Sequence, residues 1–144
     1  MAFNHSGIRV GVDLVCISEV EHSIEMFGDR YTHRLFSDHE RASCVGTPRT
    51  VAEGLAARFA AKEAAIKVLR PTGASGLWRS IEVVRSESGA CDLLLTGEAA
   101  RLAEAAGIDA VAVSLAHEHD QAVAVVVATF RDEIDHDVPR DATP

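Results

Sequence analysis

The sequence contains no run of about 18 apolar residues, the length that a membrane-spanning helix needs. Residues 1–7 also lack the basic and apolar regions of a secretory signal peptide. Cysteine is scarce, and Cys16, Cys44 and Cys91 are too widely spaced to form a disulfide framework or a zinc motif. These absences predict a cytoplasmic protein with free thiols and no membrane partner.

The chain also has fewer basic than acidic residues. The chain has 14 Lys and Arg residues against 22 Asp and Glu residues, which gives a net charge of −8 at pH 7. Because a general nucleic-acid-binding protein needs a cationic face, we expect no nucleic-acid partner. The chain has neither a Gly-x-Ser-x-Gly motif nor a Cys/His nucleophile signature, so hydrolase chemistry of those kinds has no support.

The composition, 47% hydrophobic and 25% charged, is typical of a globular protein. At 144 residues the chain is long enough for one domain with a real core, which we expect over residues 1–130. Residues 131–144 carry five acidic and two basic side chains and two prolines. That composition predicts a disordered acidic tail.

The order of predicted elements indicates an α+β fold. Strands are predicted over residues 8–17, 81–85, 91–95, 110–116 and 122–130. Helices are predicted over residues 18–28, 37–45, 50–69 and 96–106. Ser18 is the expected cap of the first helix, and Ser37 with Glu40 forms a capping-box pattern at the start of the second. Thr50 with Glu53 forms another such pattern at the start of the longest helix. The last strand is apolar almost throughout, so it should be central in an antiparallel sheet packed on the long central helix.

The long helix carries the residues of greatest chemical interest. Its apolar stripe consists of Leu55, Phe59, Ile66 and Leu69. Glu63 and Lys67 border one edge of this stripe, and Arg58 and Lys62 border the other. Such an arrangement can hold a divalent cation and a polyphosphate. Spacing alone nevertheless favours a plain surface pair, because Glu followed by Lys four residues later is common on exposed helices.

Two further features each allow two interpretations. Asp13 lies in mid-strand beside Gly11, where it is either on a solvated outer face or in a space left for a ligand. His117 and His119 are two residues apart and could chelate a metal in extended chain, which would suit a small metal-binding protein. They precede a turn with acidic neighbours, however, and a lone His-x-His pair is weak evidence for a metal site.

Four segments, in order along the chain, resemble the motifs of one family. They are Gly11-Val12-Asp13-Leu14-Val15, Arg34-Leu35-Phe36-Ser37-Asp38-His39-Glu40, Arg58-Phe59-Ala60-Ala61-Lys62-Glu63-Ala64-Ala65-Ile66-Lys67 and Val113-Ser114-Leu115-Ala116-His117-Glu118. The helical segment is specific, and the other three support it by their order and separation. The chain resembles the holo-acyl-carrier-protein synthases, which are short, single-domain 4′-phosphopantetheinyl transferases, over about residues 7–130.

The resemblance implies a phosphopantetheinyl transferase-like fold and an Mg²⁺-dependent transfer of phosphopantetheine from coenzyme A to a carrier-protein serine, releasing adenosine 3′,5′-bisphosphate. It makes Asp13 and Glu63 the metal ligands, and it assigns Lys67 to the pyrophosphate. It also assigns Arg58 and His117 to the phosphates at the nucleotide end. Asp13, Glu63 and Lys67 are thus the expected catalytic residues, and Lys62 receives no role.

The resemblance also implies partners. An apo acyl carrier protein would supply the serine nucleophile, and three copies of the chain would assemble with the active sites at subunit interfaces. Two positions depart from the family pattern, since Glu19 stands where an arginine docks the carrier and Ala116 stands where a serine is usual. Glu19 predicts a dedicated carrier protein, for example in secondary metabolism. The alternative is a non-catalytic relative that binds coenzyme A or a carrier protein as an interaction module.

Overall fold

The computed structural model describes residues 7–73 and 76–131. In chain order its elements are β1 (Ile8–Cys16), α1 (Ile17–Phe27), α2 (Asp29–Leu35), α3 (Asp38–Ser43), α4 (Pro48–Leu69), a 3₁₀ turn (Leu77–Ser80), β2 (Ile81–Arg85), β3 (Cys91–Leu95), α5 (Gly97–Ala105), β4 (Ile108–Glu118) and β5 (Gln121–Phe130). Within these ranges no helix has the length and apolarity needed to cross a membrane. The predicted acidic tail lies outside the described residues, except for Arg131. The single-domain organisation stays a prediction.

The strands form two antiparallel sheets, and with the helices they confirm the α+β class. The larger sheet has the order β1-β5-β4, and the smaller is the β2-β3 hairpin. Strand β5 pairs with a neighbour on both sides, which confirms the central position predicted from its apolar sequence. The sequence pattern predicts one sheet, but the β2-β3 hairpin forms a second sheet of its own.

Helix α4 begins earlier than predicted. Thr47 is its N-cap, and the Thr47 side chain accepts a hydrogen bond from the backbone N–H of Thr50. Pro48 occupies the first helical position, where its missing N–H costs nothing and its fixed φ suits the helix. The predicted capping box at Thr50 and Glu53 is therefore wrong, because both residues already lie inside the helix.

Alanine and glycine set the close approach of α4 to the larger sheet. Helix α4 packs on β1 and β5, and its fully buried residues include Ala60 and Ala64. A Cβ atom on Gly11 of β1 would lie only 2.1 Å from the carbonyl oxygen of Ala64. Because a side chain at this position is sterically impossible without movement, the glycine permits the strand to cross the helix at backbone contact distance.

The face of β1 that carries Gly11 and Asp13 is turned toward α4. The opposite face carries four large apolar side chains that are 52–63% exposed, namely Ile8, Val10, Val12 and Leu14. The interpretation of Asp13 as part of a solvated outer face is therefore wrong, since its side chain lies against the helix. The regular apolar alternation of β1 marks its exposed face, contrary to the usual expectation.

The helices differ from the sequence-based predictions at two further points. Helix α2 was not predicted, because its sequence has no apolar periodicity long enough to distinguish it from a loop. Ser18 does not cap α1 with its side chain, since α1 begins at Ile17 and the Ser18 hydroxyl donates to Asp120 instead. The predicted capping box at the start of α3, formed by Ser37 and Glu40, is present.

Candidate active site

Asp13 and Lys67 meet where β1 crosses α4. Nζ of Lys67 donates hydrogen bonds to Oδ1 of Asp13 at 2.9 Å and to the carbonyl oxygen of Val12 at 2.7 Å. The Asp13 side chain is 21% exposed and that of Lys67 is 54% exposed, so a ligand can reach both from solvent. The fold therefore brings together two residues that were predicted for one site from distant parts of the sequence.

Glu63 lies one helical turn before Lys67 on α4. Its Oε1 accepts a hydrogen bond from the indole N–H of Trp78 at 2.6 Å. Among the described residues, the hydrogen bonds to Asp13 and Glu63 engage a single oxygen of each carboxylate. Sequence reasoning missed Trp78, because this residue belongs to no motif and lies fifteen positions beyond Glu63.

The helical spacing predicted Lys62 at the edge of the apolar stripe, but its side chain is fully buried. Both Lys62 and Glu40 are 0% exposed, and Nζ of Lys62 lies 2.8 Å from Oε2 of Glu40. The ammonium also donates to the carbonyl oxygens of Trp78 at 2.6 Å and Ile81 at 2.5 Å. Burial lowers the pKa of Lys62, while the carboxylate of Glu40 acts in the opposite direction. The ion pair joins α4 to α3, and the same ammonium joins α4 to the 3₁₀ turn.

Glu40 is equally well satisfied in this pair. Its Oε1 accepts the backbone N–H of Val83 at 2.9 Å, and its Oε2 accepts the backbone N–H of Ser37 at 2.9 Å. A buried charge is tolerated when its lone pairs and its counter-charge are all provided for, as they are here. The only sequence signal for the pair was that both residues fall within the quoted motif segments.

Arg58 and His117 line a pocket of about 440 Å³ on another part of the surface. The remaining polar side chains that line it are His39, Ser43, Thr50, Glu53, Arg85, Ser86 and Glu87. Arg58 and Arg85 could pair with an anionic ligand, while Glu53 and Glu87 bring two negative charges to the same lining. Hydroxyl groups from three separate elements or turns could add hydrogen bonds to such a ligand.

Arg58 is held in this pocket from its own helix and from α3. Nη1 of Arg58 donates to the carbonyl oxygen of Gly54 at 3.2 Å, and Nη2 donates to Oγ of Ser43 at 3.4 Å. Nε of Arg58 is buried and has no hydrogen-bond partner among the described residues. Nearby, burial raises the pKa of the Cys44 thiol, and Arg58 partly offsets that effect.

A polar cluster around Asp120 connects the strand of Asp13 to the turn that follows His117. The Asp120 carboxylate accepts hydrogen bonds from the Cys16 thiol at 3.0 Å, the Ser18 hydroxyl at 2.7 Å and Nη1 of Arg49 at 2.9 Å. These hydrogen bonds hold the pKa of Asp120 well below its usual range. The cluster fixes the end of β1 against the β4–β5 turn.

The predicted site residues thus form two groups on one chain. Asp13, Glu63 and Lys67 lie at the crossing of β1 and α4, and Arg58 and His117 line the pocket described above. Glu63 and Arg58 are five residues apart on α4, which places them about 140° apart around the helix axis. The two groups therefore lie on different sides of the helix.

The alternative metal site at His117 and His119 receives no support. His119 lies in the turn after β4 with a positive φ of 53°, and its side chain is 91% exposed. Within residues 7–73 and 76–131, no group of three or more His, Cys, Asp or Glu side chains is arranged to hold a metal ion by itself.

Comparison with known proteins decides the family. Residues 9–126 match the model of the 4′-phosphopantetheinyl transferase superfamily. The chain belongs to this superfamily. The matched segment of this phosphopantetheinyl transferase includes Asp13, Arg58, Glu63, Lys67 and His117, which are all the predicted site residues.

Similar proteins carry a more specific name. A holo-[acyl-carrier-protein] synthase of Desulforudis audaxviator is 45% identical over 84% of this chain and 92% of its own length. The solved complex of the Chronobacterium ammoniagenes synthase with coenzyme A has a TM-score of 0.73 and 33% identity, over 86% of this chain and 98% of that one. The Helicobacter pylori synthase in complex with coenzyme A has a TM-score of 0.70 and 25% identity, over 83% and 99%.

These findings confirm the family and the fold that the sequence motifs predicted for this phosphopantetheinyl transferase. They also confirm the prediction of an enzyme of the holo-acyl-carrier-protein synthase type. The roles assigned to individual side chains stay predictions.

Proposed function

We propose that this phosphopantetheinyl transferase moves the phosphopantetheine arm of coenzyme A to a serine of an apo acyl carrier protein. The serine oxygen bonds to the phosphorus that bears the pantetheine arm, and the bond from that phosphorus to the nucleotide breaks. The hydroxyl proton is released, and adenosine 3′,5′-bisphosphate leaves. The names of the similar synthases, and the coenzyme A bound in two of their structures, support both substrates.

One observation carries the proposal for the reaction centre. Lys67 on α4 contacts Asp13 on β1 at 2.9 Å, and Glu63 lies one turn away on the same helix. Phosphoryl transfer depends mainly on positioning and on neutralising charge. Lys67 has the reach and the exposure to place its ammonium against the pyrophosphate, where it stabilises the departing nucleotide phosphate.

The donor atoms at this site suit Mg²⁺. Asp13 and Glu63 offer hard carboxylate oxygens, and in each the described protein contacts engage one oxygen and leave the other for a cation. Mg²⁺ typically takes one or two carboxylates and completes its octahedron with water and substrate phosphate oxygens. When bound there, the ion would supply charge neutralisation of the pyrophosphate.

Arg58 and His117 are proposed to bind the phosphates at the nucleotide end of coenzyme A. Support comes from the pocket that they line and from the buried Nε of Arg58, which has no hydrogen-bond partner in the described part of the chain. A phosphate oxygen would provide that partner, because guanidinium groups bind phosphates through two parallel N–H donors.

We propose that the active protein is a homotrimer with sites at the subunit interfaces. The exposed apolar face of β1 continues across the sheet, since Val10 is paired with Val127 and Val127 with Ala112. A contiguous apolar face of this kind is typical of a protein–protein interface. Assembly of copies through it would also allow Asp13 and Glu63 of one subunit to meet Arg58 of a neighbour.

The carrier protein is proposed to be a dedicated one. Glu19 is exposed in the first turn of α1, where it would repel an acidic carrier helix. The basic side chains that could dock such a carrier instead are Arg30, Arg34, Arg41 and Arg49. Arg41 is paired with Asp38, and Arg49 is engaged by Asp120. Arg30 and Arg34 are exposed on α2 and are the better candidates for docking. Similar transfer rates on many unrelated carriers would contradict this proposal.

The decisive experiment mixes the purified protein with coenzyme A, Mg²⁺ and a panel of apo carrier proteins. Mass spectrometry should detect phosphopantetheine on the carrier serine. Glu63→Gln should lower the transfer rate by about 100-fold or more, because it removes a charge on which the metal depends. Glu104→Gln, at an exposed position on α5, is the matched control and should keep the wild-type rate.

Two results would contradict the proposal in different ways. Binding of coenzyme A without transfer to any carrier in the panel would identify the chain as a non-catalytic interaction module. Full activity of the Glu63→Gln variant would show that the metal-binding role belongs to another residue.

A further inference from the structure

We propose that Trp78 is a positioning residue, and that its indole N–H holds the Glu63 carboxylate in the orientation in which it binds the divalent cation. We further infer that the buried ammonium of Lys62 positions Trp78. The inference rests on the proposed function, since it gives Trp78 and Lys62 a purpose in the metal site. Neither side chain contacts the substrate in this scheme.

The indole of Trp78 is in direct contact with the Glu63 carboxylate. Nε1 of Trp78 donates to Oε1 of Glu63 at 2.6 Å, a short bond of the kind formed with charged acceptors. A glutamate on a helix has three rotatable side-chain bonds, so an exposed one samples many orientations. The hydrogen bond restricts that freedom, and the second oxygen, Oε2, has no hydrogen-bond partner among the described residues.

The turn that carries Trp78 is anchored by Lys62. Nζ of Lys62 donates to the carbonyl oxygen of Trp78 itself and to that of Ile81, just beyond the turn. Leu77, the preceding residue, is 1% exposed and belongs to the core. The backbone that carries the indole is therefore held on both sides of Trp78. Such rigidity is needed in a residue that orients a metal ligand.

Lys62 links the turn to helix α4. Lys62 and Glu63 are neighbours on α4, so the ammonium that fixes the turn and the carboxylate that the turn orients share one rigid element. Glu40 neutralises the buried ammonium at 2.8 Å. The chain thus closes a loop of contacts from α4 through the turn and back to α4. That loop gives Lys62 a role that the motif alone did not suggest.

The experiment compares Trp78→Phe with the wild-type protein. Phenylalanine keeps an aromatic ring, smaller than the indole, and removes the N–H. We expect the Mg²⁺ concentration for half-maximal activity to rise about tenfold, as is usual when a partner of a metal ligand is lost. The KM for coenzyme A should change by less than about twofold, which separates positioning of the metal ligand from general loss of structure. Tyr31→Phe removes a polar group from another half-buried aromatic residue and should leave the Mg²⁺ dependence unchanged.

A second measurement does not depend on catalysis. Trp78 is the only tryptophan in the chain, so its fluorescence reports directly on its surroundings. Titration with Mg²⁺ in the presence of coenzyme A, at constant ionic strength, should change the emission saturably in the wild type and not in Glu63→Gln. This titration also decides the question if Trp78→Phe fails to fold.

The outcomes are distinct from those that test the proposed function. An active wild type with no fluorescence response to Mg²⁺ would overturn the inference, as would an unchanged Mg²⁺ dependence in a folded Trp78→Phe variant. A wild type that transfers nothing to any carrier would instead contradict the proposed reaction, while its fluorescence response would still test the contact between Trp78 and the metal site.

Discussion

The buried pair of Glu40 and Lys62 is the most unusual feature at the scale of single residues. Lysine and glutamate are almost never fully buried unless they are paired. Here each charge has its counter-charge and additional backbone partners, so the pair is satisfied without water. Removing either charge alone would consequently leave the other one buried without a counter-charge.

Lys62→Met should therefore destabilise the protein by about 3–5 kcal/mol, because it leaves the Glu40 carboxylate buried without a counter-charge. Urea unfolding followed by circular dichroism would measure the loss. Lys67→Met is the matched control on the same helix, and its half-exposed pair with Asp13 should cost at most about 1 kcal/mol. Equal stability of the two variants would show that the buried ion pair contributes nothing particular.

At the scale of elements, the crossing of β1 and α4 determines the geometry of the reaction centre. The strand can lie on the helix because Gly11 has no side chain and because α4 presents Ala64 to it. That close approach brings the Asp13 carboxylate within hydrogen-bond distance of Lys67. A structural glycine thus positions a functional residue two places away.

Gly11→Ala should cost about 1–3 kcal/mol or more, because its Cβ would meet the backbone of α4 and not a flexible side chain. It should also lower the transfer rate by displacing Asp13. Thermal melts and the carrier-protein assay would report the two effects. Gly7→Ala is a suitable control, since a Cβ there meets no described atom within 4 Å. If both variants behaved like the wild type, β1 and α4 would not be in the close contact described.

At the scale of the whole molecule, the proposed homotrimer would explain both the exposed apolar face of the sheet and the division of the site residues into two groups. The face carries large apolar side chains such as Val10 and Leu14, which a monomer would leave in water. The two groups of site residues lie on different sides of α4. Assembly of copies through the sheet would bury the exposed apolar face. It could also bring the two groups of site residues together across a subunit interface.

Light scattering should accordingly give a mass of about three times the 15.4 kDa of the chain. Val10→Lys should reduce that mass to one chain and abolish transfer, because it places a charge in the proposed interface. Leu94→Lys alters an exposed apolar residue on the other sheet and should leave the trimer intact. A monomeric, fully active wild type would rule out the proposed assembly.

The sequence by itself predicted the α+β class, the central position of β5, the family and the residues proposed for the site. It could do so because these properties depend on local periodicity and on short motifs. The capping box at Ser37 is similarly local, and it is present. The motif in α4 carried the strongest signal, since its residue types recur at spacings that bring them onto particular faces of one helix.

Only the tertiary structure decided which face of β1 is turned inward, that Lys62 is buried and that Trp78 contacts Glu63. Apolar alternation identifies two faces of a strand, but what packs on each face depends on residues far away in the sequence. The backbone contact between Gly11 and Ala64 and the hydrogen bond from Trp78 are non-local in this sense. Their energies arise from the packing of whole elements, and no pattern within a single element contains that information.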